Sequence, residues 1–354
     1  MKQEIIDKIN RLANQDEPFL FVINYQGDKA FIRQLSDINP EECLFDFEGR
    51  GNSSDEMKNN SEKIAEISWQ IAPPLYEDYE RSFDIVKNNI MAGNSYLTNL
   101  TCKVPVSCNL SLEDIFHRAK GKYKLLLRRK RNLTPFVCFS PETFVRIKNG
   151  RIYSYPMKGT LDASLPDAEK QLMEDLKEAA EHATIVDLIR NDLSRVAENV
   201  RVDKYRYIDV LHTNKGDILQ TSSEISGRLP EDYQEHLGEI LDAQLPAGSI
   251  TGAPKDKTMQ IIHEAEGYDR GFYTGIMGIY DQGELNSAVM IRFIEEETSP
   301  VDFEADGKKN FKASEGMGDE ASRELYFKAG GGITSKSDCR KEYEEVIQKI
   351  YLPF

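Results

Sequence analysis

Pro135-Phe-Val-Cys-Phe-Ser-Pro-Glu-Thr-Phe-Val-Arg-Ile-Lys-Asn-Gly-Arg-Ile-Tyr-Ser-Tyr155 carries three strand-like runs in close succession, at 135–139, 143–147 and 151–155. Each is rich in the aromatic and β-branched residues that suit a pleated surface. Further strand-like runs lie at 95–101 upstream and at 210–212, 218–220, 275–280 and 287–292 downstream, with 19–23 near the amino terminus. A few helical patterns separate them. Residues 1–15 form an amphipathic helix, and 79–92 space Phe83, Val86 and Ile90 at helical intervals before Gly93. One long helical region is predicted over 167–190, a shorter one over 256–266, and an amphipathic helix at 339–351 presents Tyr343, Val346, Ile347 and Ile350 on one face. This order predicts an α+β architecture rather than regular βαβ repetition. The polar stretches 48–63 and 295–324 read as a loop and a flexible surface excursion.

Composition narrows the function. A net charge of -15 argues against a nucleic-acid surface and against binding to an anionic membrane. Five cysteines without a C-x-x-C pair predict neither a disulfide framework nor a zinc site. No apolar stretch reads as a signal core or a membrane span, so a cytoplasmic protein is expected. The basic run 127–131 reads as a solvated strand end or a contact for an acidic partner.

Several stretches could carry chemistry. Leu245-Pro-Ala-Gly-Ser-Ile-Thr-Gly-Ala-Pro-Lys255 turns sharply into a helix, which is either a tight connection or a seat for an anion at the helix start. It lacks the P-loop order. Glu181 shares a helical face with Ile185, Leu188 and Ile189. A carboxylate there needs a partner, either a structural cation or a bound one such as Mg²⁺. Lys158 ends a strand before Gly159 and is a surface lysine or a nucleophile. The glycines of Ala329-Gly-Gly-Gly-Ile-Thr334 predict a bulge or the close approach of a ligand. Helical periodicity turns Glu345 towards solvent.

Taken together, Gly93–Leu100, Ser140-Pro-Glu-Thr-Phe144, Pro156-Met-Lys-Gly-Thr160, Ala180–Asp192, Pro246–Lys255, Ile291-Arg292, Ala329–Ile333 and Glu342-Tyr-Glu-Glu345 resemble the chorismate-utilising enzymes. That family includes the anthranilate, aminodeoxychorismate, isochorismate and salicylate synthases. The resemblance runs from about residue 77 to the end, leaving 1–76 as a short variable amino-terminal part packed on a catalytic domain at 77–354. It implies two antiparallel sheets packed as a sandwich, with helices outside. Two positions discriminate among members. Lys158 stands where anthranilate synthases carry alanine. Leu97 stands where isochorismate and salicylate synthases carry a lysine that activates water.

The resemblance therefore implies an aminodeoxychorismate synthase, which aminates chorismate at C4 with ammonia on the route to p-aminobenzoate and folate. By the same resemblance Glu181 and Glu345 would hold Mg²⁺, Lys158 would attack C2, and Glu142 would protonate the departing hydroxyl. Arg292, Gly331 and Gly332 would bind the enolpyruvyl carboxylate, with Gly159, Thr160, Ser249 and Thr251 also lining the pocket. No amidotransferase-like cysteine motif is present, so a separate glutamine amidotransferase subunit is expected to supply ammonia. The sequence departs from the pattern at Gln220, where the family has histidine, and at Asn286, where it has aspartate. Anthranilate synthesis, or a silent chorismate-binding scaffold, are the rival readings.

Overall fold

The computed structural model describes residues 1–53, 66–128, 133–213, 216–298 and 323–354. Its architecture follows from strands that are covered on both faces. All five residues of Phe19–Ile23 are buried. Successive side chains on a strand point opposite ways, so Phe19, Phe21 and Ile23 enter one apolar cluster while Leu20 and Val22 enter another. Tyr123–Leu127 and Phe136–Ser140 mirror this arrangement. Tyr123, Leu125, Phe136 and Cys138 meet Leu20 and Val22 in the shared interior, and Leu126, Val137 and Phe139 face outward.

The result is the expected α+β sandwich of two antiparallel sheets with helices outside. The first sheet runs Met157–Asp162, Gly216–Arg228, Arg151–Ser154, Thr143–Lys148, Glu284–Val289, Ile276–Asp281, Phe19–Ile23, Ala30–Gln34, with Glu198–Thr213 also pairing Gly216–Arg228. The second runs Gly252–Ala253, Leu97–Cys108, Arg323–Ile333, Phe293–Thr298, Phe136–Ser140, Tyr123–Leu127, Cys43–Phe47, Arg50–Gly51, with Trp69–Ile71 also on Leu97–Cys108. Every pairing among the described residues is antiparallel. Helices Gln3–Asn14, Leu237–Gln244 and Leu176–Leu193 cover the first sheet's outer face. Tyr76–Met91, Leu112–Arg118, Lys255–Glu266 and Cys339–Gln348 cover the second. The amino-terminal residues enter both sheets, Phe19–Ile23 the first and Cys43–Phe47 the second.

The long helical region expected over 167–190 is two helices, Ala168–Glu174 and Leu176–Leu193. Asp175 separates them: its backbone is extended, and its carboxylate accepts from the Lys177 and Glu178 amides. That cap starts a new helix, which apolar spacing alone does not reveal. The short runs at 210–212 and 218–220 belong to one long hairpin, Glu198–Thr213 with Gly216–Arg228. Of the basic run, Leu127 closes a strand and Arg128 pairs with Glu113 at 2.8 Å; residues 129–131 lie outside the described residues. The excursion placed at 295–324 begins and ends in paired strand, Phe293–Thr298 against Arg323–Ile333, and 299–322 lie outside the described residues, as do 54–63 of the expected loop.

Candidate active site

A cavity of about 320 Å³ opens at one end of the first sheet. Its walls come from Thr143–Val145, from Ser154–Lys158, from the inner face of the Leu176–Leu193 helix, from Ala247–Ser249 and from Gly332 with Thr334–Lys336. Leu97 and Val289 add apolar surface.

Lys158 reaches this cavity through a bulge. The pairing of Met157–Asp162 with Gly216–Arg228 shifts register between Lys158 and Thr160. Gly159 takes up the irregularity at φ 79°, a left-handed conformation that favours glycine. A Cβ there would stand 3.0 Å from a Glu178 carboxylate oxygen. Lys158 Nζ lies 2.8 Å from Glu181 Oε2, and Lys177 Nζ lies 3.7 Å from the other oxygen. Burial alone would lower the Lys158 pKa, but Glu181, then Glu178 and Glu345, hold it above the usual lysine value. The lysine is therefore an ion-paired ammonium on the cavity wall.

Glu142 lies across the cavity in the turn between Phe136–Ser140 and Thr143–Lys148. Its amide donates to Ser140 Oγ, its carbonyl accepts from the Val289 amide, and its carboxylate accepts from Ser249 Oγ at 2.5 Å. Burial pushes its pKa above the usual carboxylate range, against the pull of Ser249, Arg292 and Lys349. Such a carboxyl is suited to carrying a proton.

Four carboxylates surround the lysines. Glu178 is pushed up by burial and by Glu181, and Glu342 by burial and by Glu345. Glu345 pairs with Lys349 at 2.7 Å and is 55% exposed, whereas Glu342 is turned inward. Among the described residues no three carboxylate, histidine or cysteine groups form a metal cluster by themselves. Of the two carboxylates expected to hold Mg²⁺, Glu181 lines the cavity and Glu345 does not; Mg²⁺ accepts carboxylate and substrate oxygens with several retained waters, so Glu181 is the one that fits such an ion on the wall. The Lys158 ammonium already shows that Glu181 binds a cation at this place.

The comparisons with known proteins bear on this geometry. The model of the family described as chorismate binding enzyme matches residues 13–307. The chain belongs to that family. An uncharacterised PabA-like protein of Haemophilus influenzae is 46% identical over 99% of this chain and 97% of its own length. Aminodeoxychorismate synthase component 1 of Salmonella typhimurium is 30% identical over 77% of this chain and 56% of its own. The crystal structure of anthranilate synthase component I from Streptococcus pneumoniae superposes with a TM-score of 0.61 at 25% identity, over 81% of this chain and 59% of that one.

Among the residues expected in the site of this chorismate binding enzyme, Lys158, Glu142, Glu181, Ser249 and Gly332 line the cavity. Thr251 does not. It is fully buried, and Gly248 and Ser249 take the wall instead. Gly159 and Thr160 also stay off the wall, because the bulge that presents Lys158 turns them away. Gly331 and Arg292 do not line it either. Arg292 acts on the Glu142 charge, its backbone is left-handed at φ 56°, and its buried Nε has no hydrogen-bond partner among the described residues. The triple glycine is not a bulge. Its ladder with Leu97–Cys108 is unbroken, and a Cβ on Gly330 would come within 2.6 Å of the Leu100 carbonyl. Asn286 ties Glu48 to Tyr123, and Gln220 pairs with Thr160; neither lines the cavity. Sequence reasoning missed Glu178, Lys177, Glu342 and Lys349. Spacing offered a signal, since Glu178 and Glu342 each precede a chosen carboxylate by three residues and Lys349 follows Glu345 by four. Among the described residues no helix is long and apolar enough to cross a membrane.

Proposed function

We propose that this chorismate binding enzyme aminates chorismate at C4 with ammonia to give 4-amino-4-deoxychorismate, as component I of an aminodeoxychorismate synthase. One observation carries the reading: a lysine amine, Lys158, stands on the wall of the same cavity as Glu142, whose carboxyl burial pushes above the usual range. The Lys158 amine attacks C2, both conjugated ring double bonds shift by one position, and the C4 hydroxyl leaves as water with the proton from Glu142. Ammonia then adds at C4, both double bonds shift back, and the lysine is expelled with its electrons restored.

Lys158 must first lose the proton that Glu181, Glu178 and Glu345 help it keep. Glu181 and Glu345 would hold Mg²⁺, which supplies a seat for the ring carboxylate of chorismate. With those carboxylates so engaged, they would no longer favour the ammonium, and burial of Lys158 would favour the free amine. Gly332 on the wall, with Arg292 and Gly331 just behind it, would bind the enolpyruvyl carboxylate. Leu97 on the wall cannot take a proton from water, which disfavours hydroxylation. Ammonia is supplied by a separate glutamine amidotransferase subunit.

Incubation with chorismate, Mg²⁺ and ammonium tests this. The expected product yields p-aminobenzoate only after a separate lyase is added. Direct appearance of fluorescent anthranilate would overturn it in favour of the anthranilate synthases, and no consumption of chorismate would favour a silent scaffold.

A further inference from the structure

Arg270 is 2% exposed and lies outside the cavity. Its guanidinium forms a bidentate pair with Glu266, through Nε at 2.8 Å and a terminal nitrogen at 2.6 Å. The remaining donors go to two backbone carbonyls, Ile250 at 3.0 Å and Asn99 at 2.7 Å, with Thr274 Oγ1 at 3.3 Å. The Tyr25 ring lies beneath, 4.8 Å from the guanidinium carbon. Glu266 is fixed in turn by the Thr101 amide and hydroxyl, both at 2.8 Å.

Neither carbonyl's residue lines the cavity, but each adjoins one that does. Ile250 follows Ser249, whose hydroxyl donates to Glu142, and Asn99 pairs with Gly332. The Asn99 amide also donates to the Thr251 carbonyl, so loop and strand are joined directly as well as through the guanidinium. A buried arginine fork is a rigid multi-donor clamp, and a lysine cannot reproduce it.

We infer that Arg270 is a positioning residue that holds the loop at Ser249 in register with Glu142. That Glu142 is the reaction's acid rests on the function proposed above; the clamp does not. Ser249 stabilises the ionised carboxylate, so releasing it shifts the Glu142 titration upward, by about one unit for the loss of a charge-assisted hydrogen bond.

The test is a carbon-13 titration of protein labelled at glutamate Cδ, with the Glu142 signal assigned by its loss in Glu142→Gln. Ser249→Ala and Arg270→Lys should each move the Glu142 midpoint upward, and the double variant should move it no further than Ser249→Ala alone. An Arg270→Lys protein that is folded and titrates like the parent overturns the inference, as does a double variant showing the sum of two shifts. If Arg270→Lys does not fold, Glu266→Gln, which removes the charge aligning the fork, faces the same two outcomes. A purely packing role would lower stability and leave the midpoint unmoved. Turnover is a separate readout: activity surviving in Glu142→Gln would overturn the acid role of Glu142 without touching the clamp.

Discussion

Two lysine–glutamate pairs in this protein have the same length and opposite characters. Lys328 Nζ meets Glu295 at 2.8 Å inside the second sheet, and Lys158 Nζ meets Glu181 at 2.8 Å on the cavity wall. Lys328 is 2% exposed, donates also to the Arg270 carbonyl at 3.0 Å, and lies near the Tyr268 and Phe293 rings. Burial lowers its pKa despite Glu295, and burial raises that of Glu295 despite Lys328. Lys158 is 33% exposed, and burial is outweighed by Glu181, Glu178 and Glu345. The first pair is closed off from solvent, with Lys103 as a further cation 3.9 Å from Glu295. The second is open and oversupplied with carboxylate.

The comparison breaks most clearly under lysine substitution. Lys158→Ala should abolish turnover, by roughly a thousandfold or more as expected for loss of a nucleophile, while the protein stays folded and still binds chorismate. Unchanged turnover in that variant would eliminate the covalent route. Lys328→Met should do the reverse in kind. It leaves Glu295 inside the sheet with only the more distant Lys103, at 3.9 Å, as a cation, and should cost about 3 kcal/mol of stability, the low end of the range for breaking a buried pair. Urea denaturation reads it, and a loss below 1 kcal/mol would show that the pair is not closed.

The helix behind Glu181 supplies a pH test. His182 is fully buried, bonds Ser223 Oγ at 2.7 Å, and has its pKa pushed down to about 4 by burial and then by Arg206. An unfolded histidine takes its proton near 6.5. Between those values the unfolded chain binds more protons, so stability falls as pH is lowered through this window, by about 3 kcal/mol once pH is below 4. Above pH 6.5 the group contributes no slope. Denaturation at pH 7 and 5, with chelator present, should show a drop that His182→Gln removes; an equal drop in both proteins would assign it elsewhere.

Much of this was legible in the sequence because it depends on period and punctuation. The apolar runs Phe19–Ile23 and Phe136–Ser140 dictate strands buried on two faces, and the strands flanking Glu142 stand where they were expected; Lys158, expected to end a strand, is instead the second residue of a further strand, Met157–Asp162. The break at Asp175 was not legible, because a cap is one side chain accepting two amides and leaves no mark on apolar spacing. Nor was the orientation at Lys158, since a bulge of one residue reverses which neighbours share its face. Thr251 failed for a related reason: directly after Ser249 the loop turns into the interior, where both Ile250 and Thr251 are buried. The clamp at Arg270 joins residues 99, 250 and 266, which only the folded sandwich brings together.

The smallest expected effect is the one that separates the two pairs by sign. At the closed pair, any loss of charge destabilises. At the open one, Glu178 is part-buried beside Glu181, and their mutual repulsion helps raise its pKa. Glu178→Gln keeps the side chain's shape and removes one of the surplus charges, so it should stabilise the ligand-free protein by a few tenths of a kcal/mol, up to about 1, as relief of a functional site does elsewhere. The gain should shrink as Mg²⁺ is added, because a bound cation already compensates the carboxylates that remain. Thermal denaturation with and without the metal checks both parts. A Glu178→Gln protein less stable than its parent under metal-free conditions would mean that the cavity's acidic groups are as fully matched as Glu295, and the contrast between the two pairs would collapse.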